Sequence, residues 1–151
     1  MSAERFTLDT NILVYSMDVG AGDRQLRAAR VIELARRRDC WLTLQAVSEF
    51  YAAATRKRLV SHTEAADQAN DWLTMFPAVS ASVSAVRTAL TATGRASYWD
   101  ALLVASAAEA GCTAILTEDM ADGTALYDVR VLNPLVGEEF SEPVRRLLGA
   151  E

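Results

Sequence analysis

Residues 5–17 read RFTLDTNILVYSM. An apolar lead-in ends at Leu8, Asp9, Thr10 and Asn11 interrupt it, and Ile12, Leu13 and Val14 resume it. Arg5 to Leu8 suits a short buried strand, and about Asn11 to Met17 suits a helix. A carboxylate, a hydroxyl and an amide therefore fall together where a strand stops.

Similar strand-like runs recur along the chain. CWLTL (40–44) gives way to the helix QAVSEFYAAATRKRL (45–59), AVSA (78–81) is a weaker strand, and CTAILT (112–117) and VRVLNPL (129–135) follow. Between them the spacing predicts further helices. One runs from an Asp23 cap to about Arg38, with Leu26, Ala29 and Leu34 on its apolar face. One opens at the Ser61/Glu64 pair and turns Ala65, Ala69, Trp72 and Leu73 inward. One spans Val83 to Thr93, and one runs from the Ser97/Asp100 pair to Gly111. DVGAGD (18–23) and EDMADGT (118–124) read as loops. This alternation predicts an α/β fold with a mostly parallel sheet of about five strands and helices on both faces, a three-layer α/β/α arrangement. One domain is expected over residues 1–135, with a C-terminal extension carrying a short helix at 136–151.

The chain has 151 residues, 51% of them hydrophobic, enough for a core without disulfides or a structural metal. No apolar run approaches the ~18 residues of a membrane span, and MSAERF lacks the basic-then-apolar pattern of a secretion signal. Cys40 and Cys112 border strand-like runs and read as reduced core residues, which points to the cytoplasm. A net charge of -5 argues against a general nucleic-acid coat protein. It leaves room for an enzyme that gathers carboxylates around cations and meets RNA through local arginines.

In parallel sheets function collects beyond the carboxyl ends of the strands. Asp9 stands at that edge. Glu49 lies early in the helix after CWLTL, between the apolar Val47 and Phe50. Asp100 opens a helix that is otherwise almost wholly apolar. CTAILT ends at Glu118 and Asp119, with Asp122 one turn on. Asp9, Glu49, Asp100 and Asp119 thus converge from distant parts of the chain. Each also has a plainer role: a helix cap for Asp9, the partner of Ser97 for Asp100, a solvated helix residue for Glu49, turn acids for Asp119 and Asp122. Clustered carboxylates must take up protons or share a cation, and an all-oxygen set suits Mg²⁺ or Mn²⁺. Such a site fits metal-assisted phosphodiester hydrolysis, with Asn11 and Thr117 orienting the acids or the phosphate. With His62 the only histidine, a Ser-His-Asp triad is not expected.

The segments LDTNILVY (8–15), SEFY (48–51), YWDALLVASAAEAGC (98–112) and ILTEDMADG (115–123), in this order, resemble the PIN-domain ribonucleases and, within them, the VapC-type toxins of toxin–antitoxin pairs. The resemblance runs from about Phe6 to Leu135. It implies a PIN-like fold and a catalytic acid cluster of Asp9, Glu49, Asp100 and Asp119. Asp9 and Asp100 would be the principal metal ligands and Asp122 an auxiliary acid. It also implies Mg²⁺ or Mn²⁺ as cofactor, tRNA or ribosomal RNA as substrate, a homodimer, and a small antitoxin partner. One departure is Gly123 after Asp122, where many relatives carry an aromatic residue. A haloacid-dehalogenase-like phosphatase is the enzymatic alternative, but it wants a second aspartate where Asn11 stands. A receiver-like interaction module is the non-enzymatic one.

Overall fold

The computed structural model describes residues 4–92, 94 and 96–150. Met1–Ala3, Thr93 and Glu151, over which some of these expectations extend, lie outside them. The chain runs through β1 (Phe6–Leu8), α1 (Thr10–Ser16), a 3-10 turn at Val19–Ala21, α2 (Asp23–Ala35), β2 (Leu42–Thr43), α3 (Leu44–Arg56), α4 (His62–Met75) and β3 (Ala78–Val79). It continues through α5 (Val83–Ala89), α6 (Tyr98–Glu109), β4 (Ala114–Leu116), β5 (Ala125–Leu126), β6 (Val129–Leu132) and α7 (Glu142–Leu148).

Four strands form one sheet in the order β1-β4-β6-β5, and β2 pairs with β3 in a separate parallel ladder. A single parallel bridge from Phe6 to Cys40 joins the two ladders beside β1. β1, β4 and β6 are parallel; helices cross over from β1 to β4, whereas β4 reaches β6 through the 117–124 loop and β5. The register matches Leu8 with Leu116 and Leu116 with Leu132. The residues that follow, Asp9, Thr117 and Asn133, therefore emerge side by side at one edge.

The main core joins these strands to α1, α2, α3, α4 and α7, and a smaller cluster joins α5 to α6. Ala101 to Ala107 are all buried. Leu103 and Val104 enter the main core, and Leu102 and Ala105 meet α5. A helix apolar on every side is one enclosed by protein.

Four details differ from the sequence reading. In α2 the buried residues are Ala28, Val31, Ile32 and Ala35, a complete i, i+3, i+4, i+7 stripe, whereas Leu26 and Ala29 face solvent. Asp23 is the first helical residue rather than the cap, which is Gly22. In α4, Leu73 falls one position off the stripe made by Ala65, Ala69 and Trp72, and it is exposed. The antiparallel β5–β6 hairpin was not expected at all. Its two-residue turn is Tyr127-Asp128, both with positive φ (51° and 62°). That is the primed turn geometry usually filled by Asn-Gly or Asp-Gly, so the sequence carries no turn signal there. The Tyr127 hydroxyl donates to the Thr88 carbonyl at 3.2 Å, and its ring packs against α5 and α6. Tertiary anchoring holds a conformation that local preference disfavours.

The C-terminal residues fold back onto α2. Val144, Leu147 and Leu148 of α7 are buried in the main core. Arg27 donates to the carbonyls of Pro134 (3.2 Å), Val136 (3.4 Å), Gly137 (2.9 Å) and Glu138. Its guanidinium also lies over the Phe140 ring, 5.2 Å from the centroid. Charged donors to protein carbonyls contribute about 1.5–3 kcal/mol. Arg27→Ala is expected to lower unfolding stability by about 2 kcal/mol in urea titrations, and Arg27→Lys to recover only part, because an ammonium cannot fork across several carbonyls. Unchanged stability in Arg27→Ala would contradict this.

Candidate active site

Asp9 caps α1 and is only 3% exposed. Its Oδ1 accepts the Thr10 N–H at 2.7 Å. Its Oδ2 accepts the Thr117 hydroxyl at 2.7 Å and the Asn11 amide at 3.2 Å. Thr117 is reached because β1 and β4 are parallel and in register. Its hydroxyl donates to Asp9 and accepts from the Asn11 amide (3.1 Å) and the Asp119 N–H (3.1 Å), which uses its one donor and both acceptor positions. Asn11 Oδ1 accepts the Glu118 N–H at 3.2 Å, which fixes which way the amide points.

Glu49 stands beside this group, its Oε2 accepting the Thr10 hydroxyl at 2.8 Å and its Oε1 the Gln45 amide at 3.1 Å. The same Gln45 nitrogen donates to the Trp99 carbonyl at 2.8 Å, tying α3 to the first turn of α6. Ser97 caps α6 by accepting the Asp100 N–H at 3.1 Å, as the pair spacing suggested. Asp100 and Asp119 both line a cleft of about 460 Å³, floored by Leu126 and Val131 of the hairpin.

Electrostatics link the acids. Burial pushes the Asp9 carboxyl up to about 6, against the pull of its Thr117 and Thr10 hydrogen bonds, and the charges of Asp100 and Asp119 add to the rise. Asp100 is raised chiefly by burial and then by Asp119 and Glu49. The structure therefore brings Asp9, Glu49, Asp100 and Asp119 into one electrostatic group, with Asn11 and Thr117 bonded to Asp9.

Two acids of the same loop are engaged elsewhere. Asp122 is exposed, and its Oδ1 accepts the Asn133 N–H at 3.0 Å, tying the loop to the end of β6. Glu118 accepts the Tyr15 hydroxyl at 2.6 Å and Arg24 Nε at 2.9 Å. Thr10 and Gln45, which hold Glu49, were missed in the sequence. Thr10 was read only as part of a polar junction, and a glutamine one turn before a glutamate on a helix carries no distinctive signal.

The PIN domain family matches residues 6–121. The chain belongs to this family. Its fold is shared with solved structures at low identity. A Mycobacterium tuberculosis toxin, VapC20, described as cleaving the sarcin–ricin loop, aligns with TM-score 0.60 and 17% identity over 78% of this chain and 90% of its own. VapBC2 from Rickettsia felis, bound to a promoter DNA fragment, aligns with TM-score 0.60 and 14% identity, covering 85% and 98%. FitAB bound to a DNA fragment gives 0.60 and 18%, covering 89% and 98%. No curated protein matches the chain significantly.

The donor set of this PIN site is carboxylate oxygen throughout, which suits a hard cation. Among the described residues no three acids already stand close enough to share one ion directly.

A carboxyl raised in the folded state adds stability below its unfolded value and loses it as pH rises through the folded value. For Asp9 the window runs from about 3.8 to about 6. Ionised Asp9 therefore costs the cation-free protein about 3 kcal/mol at neutral pH. Asp9→Asn is expected to lose this pH dependence, so that its stability relative to the parent rises by up to that amount between about pH 4 and about pH 7.5 in chelator. Urea unfolding at both pH values checks it, and a pH-independent difference would contradict it.

Proposed function

We propose that this PIN-domain protein is a Mg²⁺- or Mn²⁺-dependent endoribonuclease and the toxin of a type II toxin–antitoxin pair. The observation that carries the reading is the buried Asp9 carboxylate, pinned by Thr117, Asn11 and the Thr10 N–H while Asp100 and Asp119 disfavour its charge. A buried acid facing other acids is destabilising unless a cation joins them. Asp9 and Asp100 would be the principal residues holding that ion, with Asp119 and Glu49 completing the acid set. A bound ion would offset the charge of a phosphodiester and acidify an attacking water. The protein's part is positional. Thr117 and Asn11 fix the direction of Asp9, the Ser97 cap fixes the start of α6 and so Asp100, and Thr10 with Gln45 fixes Glu49.

RNA is the proposed substrate, tRNA or ribosomal RNA in particular. VapC20 is described as a toxin that cleaves the sarcin–ricin loop, and the toxin–antitoxin setting finds support in the VapBC2 and FitAB structures. A cognate antitoxin, a homodimeric form and action in the cytoplasm belong to the same proposal. No described helix is long and apolar enough to cross a membrane. The phosphatase alternative loses ground because Asn11, at the position where that chemistry needs an acid, is committed to holding Asp9 and Thr117.

Purified protein is expected to cut RNA with Mg²⁺ or Mn²⁺ and not in excess chelator. Asp9→Asn and Asp100→Asn should abolish cutting with circular dichroism unchanged. Thr117→Val should lower it by about 10- to 100-fold, and Thr117→Ser should restore most of it. Undiminished cleavage in chelator, or by the Asp9 and Asp100 variants, would refute the proposal.

A further inference from the structure

Trp99 is 61% exposed, while Trp72 is 3% exposed and buried in the core. Trp99 is an indole left in water on a helix whose residues 101–107 are all buried. Its setting is specific. It lies on the first turn of α6, directly before Asp100, and its backbone is tied through Gln45 to Glu49, so the residue stands beside the acid cluster. Its ring and its backbone each have a partner. The ring meets Tyr98 edge-on, with centroids 5.1 Å apart and planes at 74°, and Tyr98 packs on the α5–α6 cluster. The Trp99 carbonyl accepts the same Gln45 nitrogen that holds Glu49.

The charge balance asks for such a group. A chain of net charge -5, with acids gathered in its cleft, repels a polyanion. Cations relieve the repulsion at the cleft itself but add no grip on the bases. Stacking on an aromatic face works whatever the sign of the surface, and every base offers a π-face. A ring already held in place loses little freedom when a base settles on it.

We propose that Trp99 is a substrate-binding residue: an unpaired base of the RNA, next to the phosphate at the acid cluster, stacks on its exposed indole. The proposal rests on the ribonuclease reading above and adds to it a requirement for a single-stranded, unstacked base at that point. RNA is commonly recognised through splayed bases stacked on aromatic rings.

The test uses the full-length chain. Binding of fluorescently labelled short oligo(A) and of an abasic ribose-phosphate oligomer of equal length is measured by anisotropy in Ca²⁺. Cleavage of single-stranded RNA in Mg²⁺ is followed in parallel. Trp99→Ala and Trp99→Leu are expected to weaken oligo(A) binding by about 10-fold, and Trp99→Phe to retain most of it. The abasic oligomer should bind all four proteins alike. In cleavage the loss should fall on KM more than on kcat. If the wild-type protein cuts RNA but Trp99→Ala binds oligo(A) equally well, the stacking proposal fails and the nuclease reading stands. If the variants weaken the abasic oligomer just as much, the role is not stacking and the proposal also fails. A fall in solution mass by light scattering with unchanged RNA affinity would assign the ring to an interface between copies and overturn it. If the wild-type protein neither binds nor cuts RNA, both readings fall.

Discussion

Parallel pairing of β1 with β4 in the Leu8–Leu116 register is the constraint on which the site depends. It brings Asp9 and Thr117, far apart along the chain, to the same edge and within 2.7 Å of each other. The Thr117 hydroxyl is then saturated, with Asp9 receiving its proton and Asn11 and the Asp119 N–H filling its lone pairs. A slip of one residue would turn Thr117 to the opposite face of the sheet and leave Asp9 buried without its best donor. Fold and site are therefore the same set of contacts seen at two scales.

The remaining acids arrive by helix geometry. Capping fixes where a helix begins, so Ser97 decides where Asp100 lies, and Thr43, which accepts the Ala46 N–H at 3.0 Å, sets the start of the helix that carries Glu49. Capping and cluster membership are thus not competing roles for Asp9 and Asp100. Each takes part in starting a helix and, by doing so, is held against the other acids. The energetic consequence is a fold that carries unfavourable charge in one place. Such local cost is common where a protein awaits a ligand of opposite charge.

Much of this was legible in the sequence, and the residues explain which parts were not. The strand stops at Leu8 and Leu116 and the capping pair at Ser97 are local signals, and they put Asp9, Asp119 and Asp100 near one edge. The face of α2 was misread because Leu26 outweighs Ala28 in hydropathy, although Ala28 completes the better stripe with Val31, Ile32 and Ala35. The β5–β6 hairpin was invisible because its positive-φ turn is Tyr127-Asp128, without the usual Asn-Gly or Asp-Gly, and Tyr127 is anchored through contacts made with α5 and α6. The family resemblance implied Asp122 as an auxiliary acid; its carboxylate accepts the Asn133 N–H, a partner set by the end of β6 that the sequence does not announce. Gln45 links Glu49 to Trp99 across two helices, and no pattern along the chain announces such a bond.

The central claim is that acids from separate elements share one negative pocket that a divalent ion makes tolerable. Carboxyl-carbon NMR titration of Asp9, without and then with Mg²⁺, tests it most directly. Without divalent ions the Asp9 carboxyl should titrate near 6, and Mg²⁺ should move its midpoint downward by more than about one pH unit. An Asp9 that titrates at the ordinary aspartate value of about 3.9 in both conditions would contradict the account.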